Sequence, residues 1–568
     1  MLVRASGGPS SVSIRRRRLE RRFARFCPPP QASAMEGASL FSDATDDLSQ
    51  DMLASSASDG DLLPPEEKEE ARGGESSLDD MLPSEPSDGG ASLDMLPPDS
   101  GDGSGDEAAM DVDGTPSPER ALAPEGLQFM AQMRPHQWAS GVLQCLGAFL
   151  PQHVLKQSLL LNAPTLTTHF SGIGTTEWAA RSLAGAAAAA IGFPVSIRPL
   201  SACESCRACQ GALRQVLPPG ACVFDDILSV SPPAAKLYAD LEKTGGDLDL
   251  DSAWGQIRRA GARPRWKCQA HSGAQCETAR PDLDVSGSPC QPWSRAGANR
   301  GQRSHLMVLF LCWVLWARAR RPLVLVHENV VGFDRALLRR FLGDLYDVVI
   351  FRVQPSHVGF PFVGRKRVYA ILLLRGGVRT LADPSALYER VRQAFVLHVP
   401  PASLDMSFIA SDASCLAEEN RWRSRRGMGA LAQPSPDWGY LLTETQTRYL
   451  DRYCTQWSAR HHAPADLCIF DLSQDPDAGS RGRSSESLPT VTTKSCRMWA
   501  PRLRRWLLPL ELAWAHGYPV TPGAARDACL GGGEIAQGVC SIARLGNCMH
   551  VANVGAAVAV TLACVSRA

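Results

Sequence analysis

What is missing from this chain of 568 residues narrows what it can be. No uninterrupted apolar run is long enough to cross a bilayer. The longest, "LMVLFLCWVLWA" from Leu306, falls well short of the roughly 20 residues a spanning helix needs, so a soluble chain with no membrane partner is expected. No secretory hydrophobic segment precedes the arginines near the start. The 18 cysteines are therefore expected to be reduced thiols of an intracellular protein rather than a disulfide framework. Net charge is also missing, at +0, but only by cancellation.

Residues 1–35 hold eight arginines and one acid, whereas residues 36–125 hold 25 acids against Lys68, Arg72 and Arg120. The rest of the chain carries a net +15, so the neutral total covers an acidic tail on a basic body. Ser, Gly, Pro, Asp and Glu dominate 36–125, and such a segment cannot bury enough apolar surface to offset chain entropy; it is expected to be disordered. Within it, D-M-L-x5-D-G occurs from Asp51, Asp80 and Asp94. This repeat is either compositional drift or a multivalent motif presenting Met-Leu to a protein partner. The basic stretch "SIRRRRLERRFARF" from Ser13 suits nuclear localisation or nucleic-acid contact, with an organelle transit peptide as the other reading, and Met35 offers a start that omits it.

The folded body begins near Gly126, with 126–160 leading into it. From about Leu161, apolar runs of strand length alternate with helical stretches: "TLTTHFSGIG", "VSIRPLSACE", "ACVFDDI", "RPLVLVHENV" and "VVIFRVQ" read as strands, and "TEWAARSLAGAAAAAIG" as a helix. This rhythm predicts an α/β fold, a Rossmann-like and mainly parallel sheet with helices on both faces. Ligands of such sheets bind at the carboxyl ends of the strands, where the chemistry-bearing residues lie. Gly172 and Gly174 form a glycine turn, Glu204 ends the next strand, and Asp225 and Asp226 end the third. Ile173, Thr175 and Thr176 fill the gaps of a longer G-x-G-x-x-G, which disfavours a dinucleotide and suits a nucleoside-bearing cofactor without a pyrophosphate.

Cys290 stands in the turn-rich loop "SGSPCQPWSRAG", stiffened by Pro289, with Arg295 and Arg300 nearby to favour thiolate. Downstream, "VHENV" ends a strand with Glu328 and Asn329, and a carboxyl group facing a loop thiol suits acid and nucleophile roles.

Eight stretches in order, "FSGIG" at Phe170, "ACES" at Ala202, "FDDI" at Phe224, "GSPCQPWSRAG" at Gly287, "HENV" at His327, "GRKRVY" at Gly364, "RRWLLPLELAWAHGYP" at Arg504 and "RLGNCMHVANVG" at Arg544, resemble the motifs of the carbon-5 cytosine DNA methyltransferases. The resemblance runs from about residue 160 to 566. It implies a catalytic domain over 161–375 with an insertion near 232–282, a smaller target-recognition region over 376–495, and a return to the catalytic domain over 496–568. It further implies that Cys290 attacks carbon 6 of a flipped-out cytosine, that Glu328 holds and protonates ring nitrogen 3, and that Arg365 and Arg367 orient the base. S-adenosylmethionine would be the cofactor, lined by Phe170, Gly172 and Gly174, with Glu204 on its ribose, Asp226 and Ile227 on its adenine, and Pro289 and Asn547 closing the site. Double-stranded DNA would be the partner, and the nucleus the place of action.

Some positions depart from the family pattern. Val363 stands where the family usually has Gln, with an extra residue after Pro361, and Trp293 replaces a more frequent Phe. Two other functions remain open: a DNA-binding scaffold that recruits partners through the acidic repeats, and a transfer-RNA methyltransferase, against which the Ser of "PCQPWS" speaks. In the insertion, Cys268, His271 and Cys276 form a C-x2-H-x4-C run that falls one ligand short of a closed zinc site, so a plain surface loop is expected and no metal is assigned. "CESCRAC" lacks the fourth cysteine of an iron–sulfur run and is read as packing. The basic runs "RWRSRRG" from Arg421 and "SRGRSS" from Ser480 suit phosphate contact or a solvated linker.

Overall fold

The computed structural model describes residues 122–294, 300–461, 468–477, 484–485, 487–491, 497–530 and 542–568. The basic segment 1–35, the acidic repeats, Arg295 and the start of "SRGRSS" lie outside the described residues.

Seven strands build the central sheet: β1 (Thr165–His169), β2 (Arg198–Cys203), β3 (Cys222–Phe224), β6 (Leu283–Ser286), β7 (Val324–Val330), β8 (Tyr346–Val353) and β9 (Arg367–Leu374). Between β3 and β6 the insertion adds a hairpin of β4 (Arg265–Lys267) and β5 (Gln275–Glu277). The order across the sheet is β3-β2-β1-β6-β7-β9-β8. Pairs from β3 to β7 are parallel, and β9 runs antiparallel between β7 and β8. The expected mainly parallel, Rossmann-like sheet is therefore present, with one reversed strand.

Both faces are covered, which is why the strands read as continuous apolar runs. In β7, Val324 and Val326 pack into one cluster with helices α1 (Trp138–Phe149), α2 (Thr175–Ile191) and α8 (Val551–Ala563). Leu325 between them packs into the opposite cluster with α4 (Met307–Arg320). Period-two alternation thus feeds two cores from one strand. Every residue of α8 is buried. The stretch Arg544–Ala563 is long and apolar enough to pass for a membrane span, with mean hydropathy 1.4, yet 89% of that window is buried in this core.

A third cluster lies in the later part of the chain. There α6 (Asp412–Arg425) and α7 (Glu444–His461) share a core with a four-stranded sheet of β11 (Ser484–Ser485), β10 (Ile469–Asp471), β12 (Met498–Ala500) and β13 (Arg505–Trp506). Its core is aromatic: Trp438, Tyr453, Trp457, Phe470, Trp499 and Trp506. This core runs from Cys415 to Leu508. The helix α5 (Pro384–His398) instead places Tyr388 and Phe395 in the main core. "RWRSRRG" forms the last turn of α6 and the turn after it.

Candidate active site

The strand order reverses between β1 and β6, which is where open α/β sheets bind ligands. A small pocket opens there. Phe170, Ser171 and Gly172 after β1, Thr175 and Thr176 at the start of α2, Gly287 after β6, Glu328 on β7 and Asn547–Met549 from the C-terminal segment line it.

The glycine turn is built by backbone demands. Phe170, Gly172 and Gly174 take φ values of 56°, 56° and 82°. At Gly174 a β-carbon would also stand 2.7 Å from Val216 of α3 (Arg207–Val216), so this position serves helix packing and does not line the pocket. Glu204, just past β2, accepts from Gly172 N at 2.8 Å and from Cys206 N at 2.9 Å. Burial raises its pKa, and these two backbone donors oppose the rise. Asp226 caps the turn Ile227–Val230 by accepting from Leu228 N at 2.9 Å, and burial raises its pKa too. Ile227 is buried, Pro289 half-buried and Asn547 exposed at the mouth.

The other wall carries the charges. Alternation along β7 sends His327 and Asn329 to one side and Glu328 to the other. His327 Nε2 lies 2.9 Å from Ser288 Oγ, and Asn329 Nδ2 donates to both Ser288 O and Ser288 Oγ at 3.2 Å. Burial lowers the His327 pKa to about 3, so this clamp on the Cys290 loop is neutral. A turn then brings Trp293 N to Cys290 O at 3.0 Å, and Trp293 packs edge-on to Phe333. Cys290 is half-buried, and burial and then Glu328 raise its pKa while Arg367 and Arg365 lower it.

Glu328 is buried, and Arg367 Nε approaches its Oε1 at 3.0 Å. The ion pair is close, but its angle makes no hydrogen bond, and Oε1 has no hydrogen-bond partner among the described residues. Burial and the neighbouring Arg365 pull the Arg367 pKa down to about 10, against the pull of Glu328 and Cys290. Arg365, 4% exposed, donates one Nη to Cys548 O, and its Nε and other Nη have no hydrogen-bond partner among the described residues. Gly287 keeps the space between the two walls clear: a β-carbon there would meet Met549 at 2.7 Å and Glu328 Oε2 at 3.4 Å.

Val363 is 5% exposed and bridges to Leu488, with Gly364 N donating to Leu488 O at 2.9 Å and Leu488 N to Phe362 O at 2.7 Å. Val363 thus fills an apolar slot in the main core with Phe362 and Leu488. Cys203 and Cys209 of "CESCRAC" are buried and Cys206 is exposed.

Sequence reasoning passes over Glu177, whose pKa burial raises to about 7 and whose Oε1 accepts from Thr168 Oγ1 at 2.6 Å beneath the pocket. It also passes over Asp284. In the middle of β6 this acid takes Thr167 Oγ1 at 2.8 Å, His169 Nδ1 at 2.7 Å and Trp313 Nε1 at 2.9 Å, tying β1 to β6 under the site. A carboxylate inside the run "LDVS" is the signal that could have found it.

Residues 268–347 match the family model of the C-5 cytosine-specific DNA methylases. No curated protein matches the chain. Among solved structures it is similar to the S. pombe Dnmt2 methyltransferase, at 15% identity over 70% of this chain and 98% of that one, with a TM-score of 0.32. It is similar also to a putative DNA modification methyltransferase encoded within prophage Cp of E. coli, at 15% identity over 67% of this chain and 97% of that one, with a TM-score of 0.33. The matched stretch holds both Cys290 and Glu328.

Proposed function

We propose that the protein transfers a methyl group from S-adenosylmethionine to carbon 5 of cytosine in double-stranded DNA. The observation that carries this reading is one pocket lined both by the glycine turn Phe170–Gly172 and by Glu328, whose buried Oε1 has no hydrogen-bond partner among the described residues. A cofactor held at the turn and a base held at Glu328 would meet there.

S-adenosylmethionine bound there would supply an electrophilic methyl group. Phe170 and Gly172 would pack its nucleoside, with Glu204 and Asp226 offering acceptors to its hydroxyl and amino groups. The Cys290 thiolate adds to carbon 6 of the cytosine while Glu328 donates a proton to ring nitrogen 3, so the electron pair reaches carbon 5 as an enamine. Arg367 and Arg365 hold the exocyclic oxygen. Once carbon 5 is methylated, its proton leaves to solvent, the carbon–sulfur bond breaks, nitrogen 3 returns its proton to Glu328, and Cys290 leaves as thiolate. Carbon 6 is out of reach in a stacked duplex, so the base must be extruded. The net +15 of residues 126–568 supplies attraction to phosphate.

The test is incorporation of labelled methyl groups into cytosine duplexes and, in parallel, into structured RNA. Label appearing at carbon 5 of DNA cytosine, and absent with Cys290→Ala, is the expected result. Label in RNA alone would move the substrate class. Cofactor binding without transfer to either would favour the scaffold reading.

A further inference from the structure

The insertion gathers a second set of chemistry-bearing side chains that the pocket does not use. Cys268, His271 and Cys276 belong to the β4–β5 hairpin, and Cys222 opens β3. The sulfur atoms of Cys222, Cys268 and Cys276 lie 3.7, 3.3 and 3.3 Å from His271 Nδ1. All four ligand atoms fall within 4.8 Å of one another. A tetrahedral zinc ion with Zn–S of about 2.3 Å and Zn–N of about 2.0–2.1 Å sets sulfur and nitrogen about 3.6 Å apart, so these spacings are the edges of such a tetrahedron.

Three thiols around one imidazole nitrogen are a poor hydrogen-bonding arrangement. Sulfur is a weak donor and a weak acceptor, and the nitrogen can satisfy only one of them well. We propose that Cys222, Cys268, His271 and Cys276 bind one divalent cation of the zinc class in a closed, structural Cys3His site. The run C-x2-H-x4-C supplies three ligands in sequence; the fold supplies the fourth from a strand far upstream.

The local backbone is shaped for this. Ser272 and Gly273 both take left-handed φ values, 53° and 82°, and Ala274 N donates to His271 O at 3.0 Å, closing a tight turn that carries the imidazole back over the sulfurs. Cys268 N donates to Ala274 O at 2.9 Å and Gly273 N to Cys268 O at 2.8 Å. The hairpin then docks on β3 itself: Gln269 N donates to Val223 O at 2.7 Å, and Cys268 bridges to Phe224. Strand β3 ends the sheet, and the hairpin covers an edge that would otherwise be open. Its apolar anchor is small, chiefly Trp266 against Phe224 at 5.4 Å between ring centres. Four metal bonds would fix what so small a core holds weakly. They would also steady the end of β3, where Lys267 pairs with Asp225 at 3.5 Å beside Asp226. The site stands on its own geometry and does not rest on the proposed methyl transfer.

The experiment uses the full chain, expressed with zinc in the medium and purified without chelator. Elemental analysis is expected to find close to one zinc per chain, falling to near zero in Cys222→Ser and in Cys276→Ser, with Cys206→Ser unchanged. Because a ligand variant can unfold, a second readout uses the wild-type chain. Exchange to cobalt(II) is expected to give near-ultraviolet thiolate charge-transfer bands and the strong visible bands of a tetrahedral ion. Iodoacetamide is expected to label Cys222 and Cys276 only after chelation. A wild-type chain with no bound zinc and no cobalt–thiolate bands would overturn the proposal. So would full zinc retention in Cys222→Ser, or rapid labelling of both thiols before chelation.

Discussion

The two walls of the site, one around the glycine turn and one around Glu328, treat their charged groups differently. On the glycine-turn wall, Glu204 accepts from two backbone N–H groups and Asp226 from one, and among the acids on this side Glu177 Oε2, deeper down, has no hydrogen-bond partner among the described residues. On the Glu328 wall, two nitrogens of Arg365 are buried with no hydrogen-bond partner among the described residues, and Glu328 Oε1 has only its ion pair with Arg367. Leaving such groups unpaired costs roughly 1–3 kcal/mol each, more when charged. The first wall is a preformed cradle whose acids are already held in place. The second stores unmet hydrogen-bonding capacity, and a group that supplies its partners recovers that cost. The contrast assigns recognition to one wall and chemistry to the other.

Breaking the second wall should therefore cost turnover, and breaking the first should cost affinity. The largest effect is expected for Cys290→Ala, with methyl transfer down by about a thousandfold or more while cofactor binding, read by calorimetry, persists. Next comes Glu328→Gln, which keeps the shape but cannot give the proton; a fall in kcat of about 10²–10⁴ is expected with the KM for cofactor near wild type. Arg367→Ala follows. Burial and Glu328 already hold the Cys290 thiol above its ordinary pKa, and Arg367 is the first of the cations that pull it back. Removing it is expected to move the pH midpoint of Cys290 alkylation further up, as read by mass spectrometry of the peptide. A downward move would contradict the assignment. The smallest effect is expected for Glu204→Gln, a weakening of cofactor binding by about tenfold with little change in kcat, since one charge-assisted acceptor is lost.

How much of this is legible in the sequence follows from where each partner comes from. The strands β3, β7 and β8 stand out because each holds a short apolar run, and β1 and β2 because a glycine turn or an acid follows them. The strand β9 escapes the strand–helix rhythm, since only a short 3₁₀ turn, Pro355–Val358, separates it from β8. The strand β6 escapes because it is four residues with a buried acid in the middle. Cys290, Glu328 and the glycine turn are legible because motif spacing is local. Val363 reads as a defect in sequence, but its slot is apolar because Leu488 pairs with it, a contact no local pattern announces. The fourth cysteine beside His271 is hidden for the same reason: Cys222 reaches it only once β3 has taken the edge of the sheet.

A covalent trap tests the Cys290 chemistry head-on. A cytosine duplex carrying fluorine at carbon 5 cannot lose a proton there after methylation, so the thioether at carbon 6 cannot be expelled. With S-adenosylmethionine present, a complex that survives denaturation is expected, with the modified base mapped by mass spectrometry to Cys290 and no complex from Cys290→Ala. A cofactor-bound protein that forms no such adduct, or one attached at another cysteine, would contradict that chemistry.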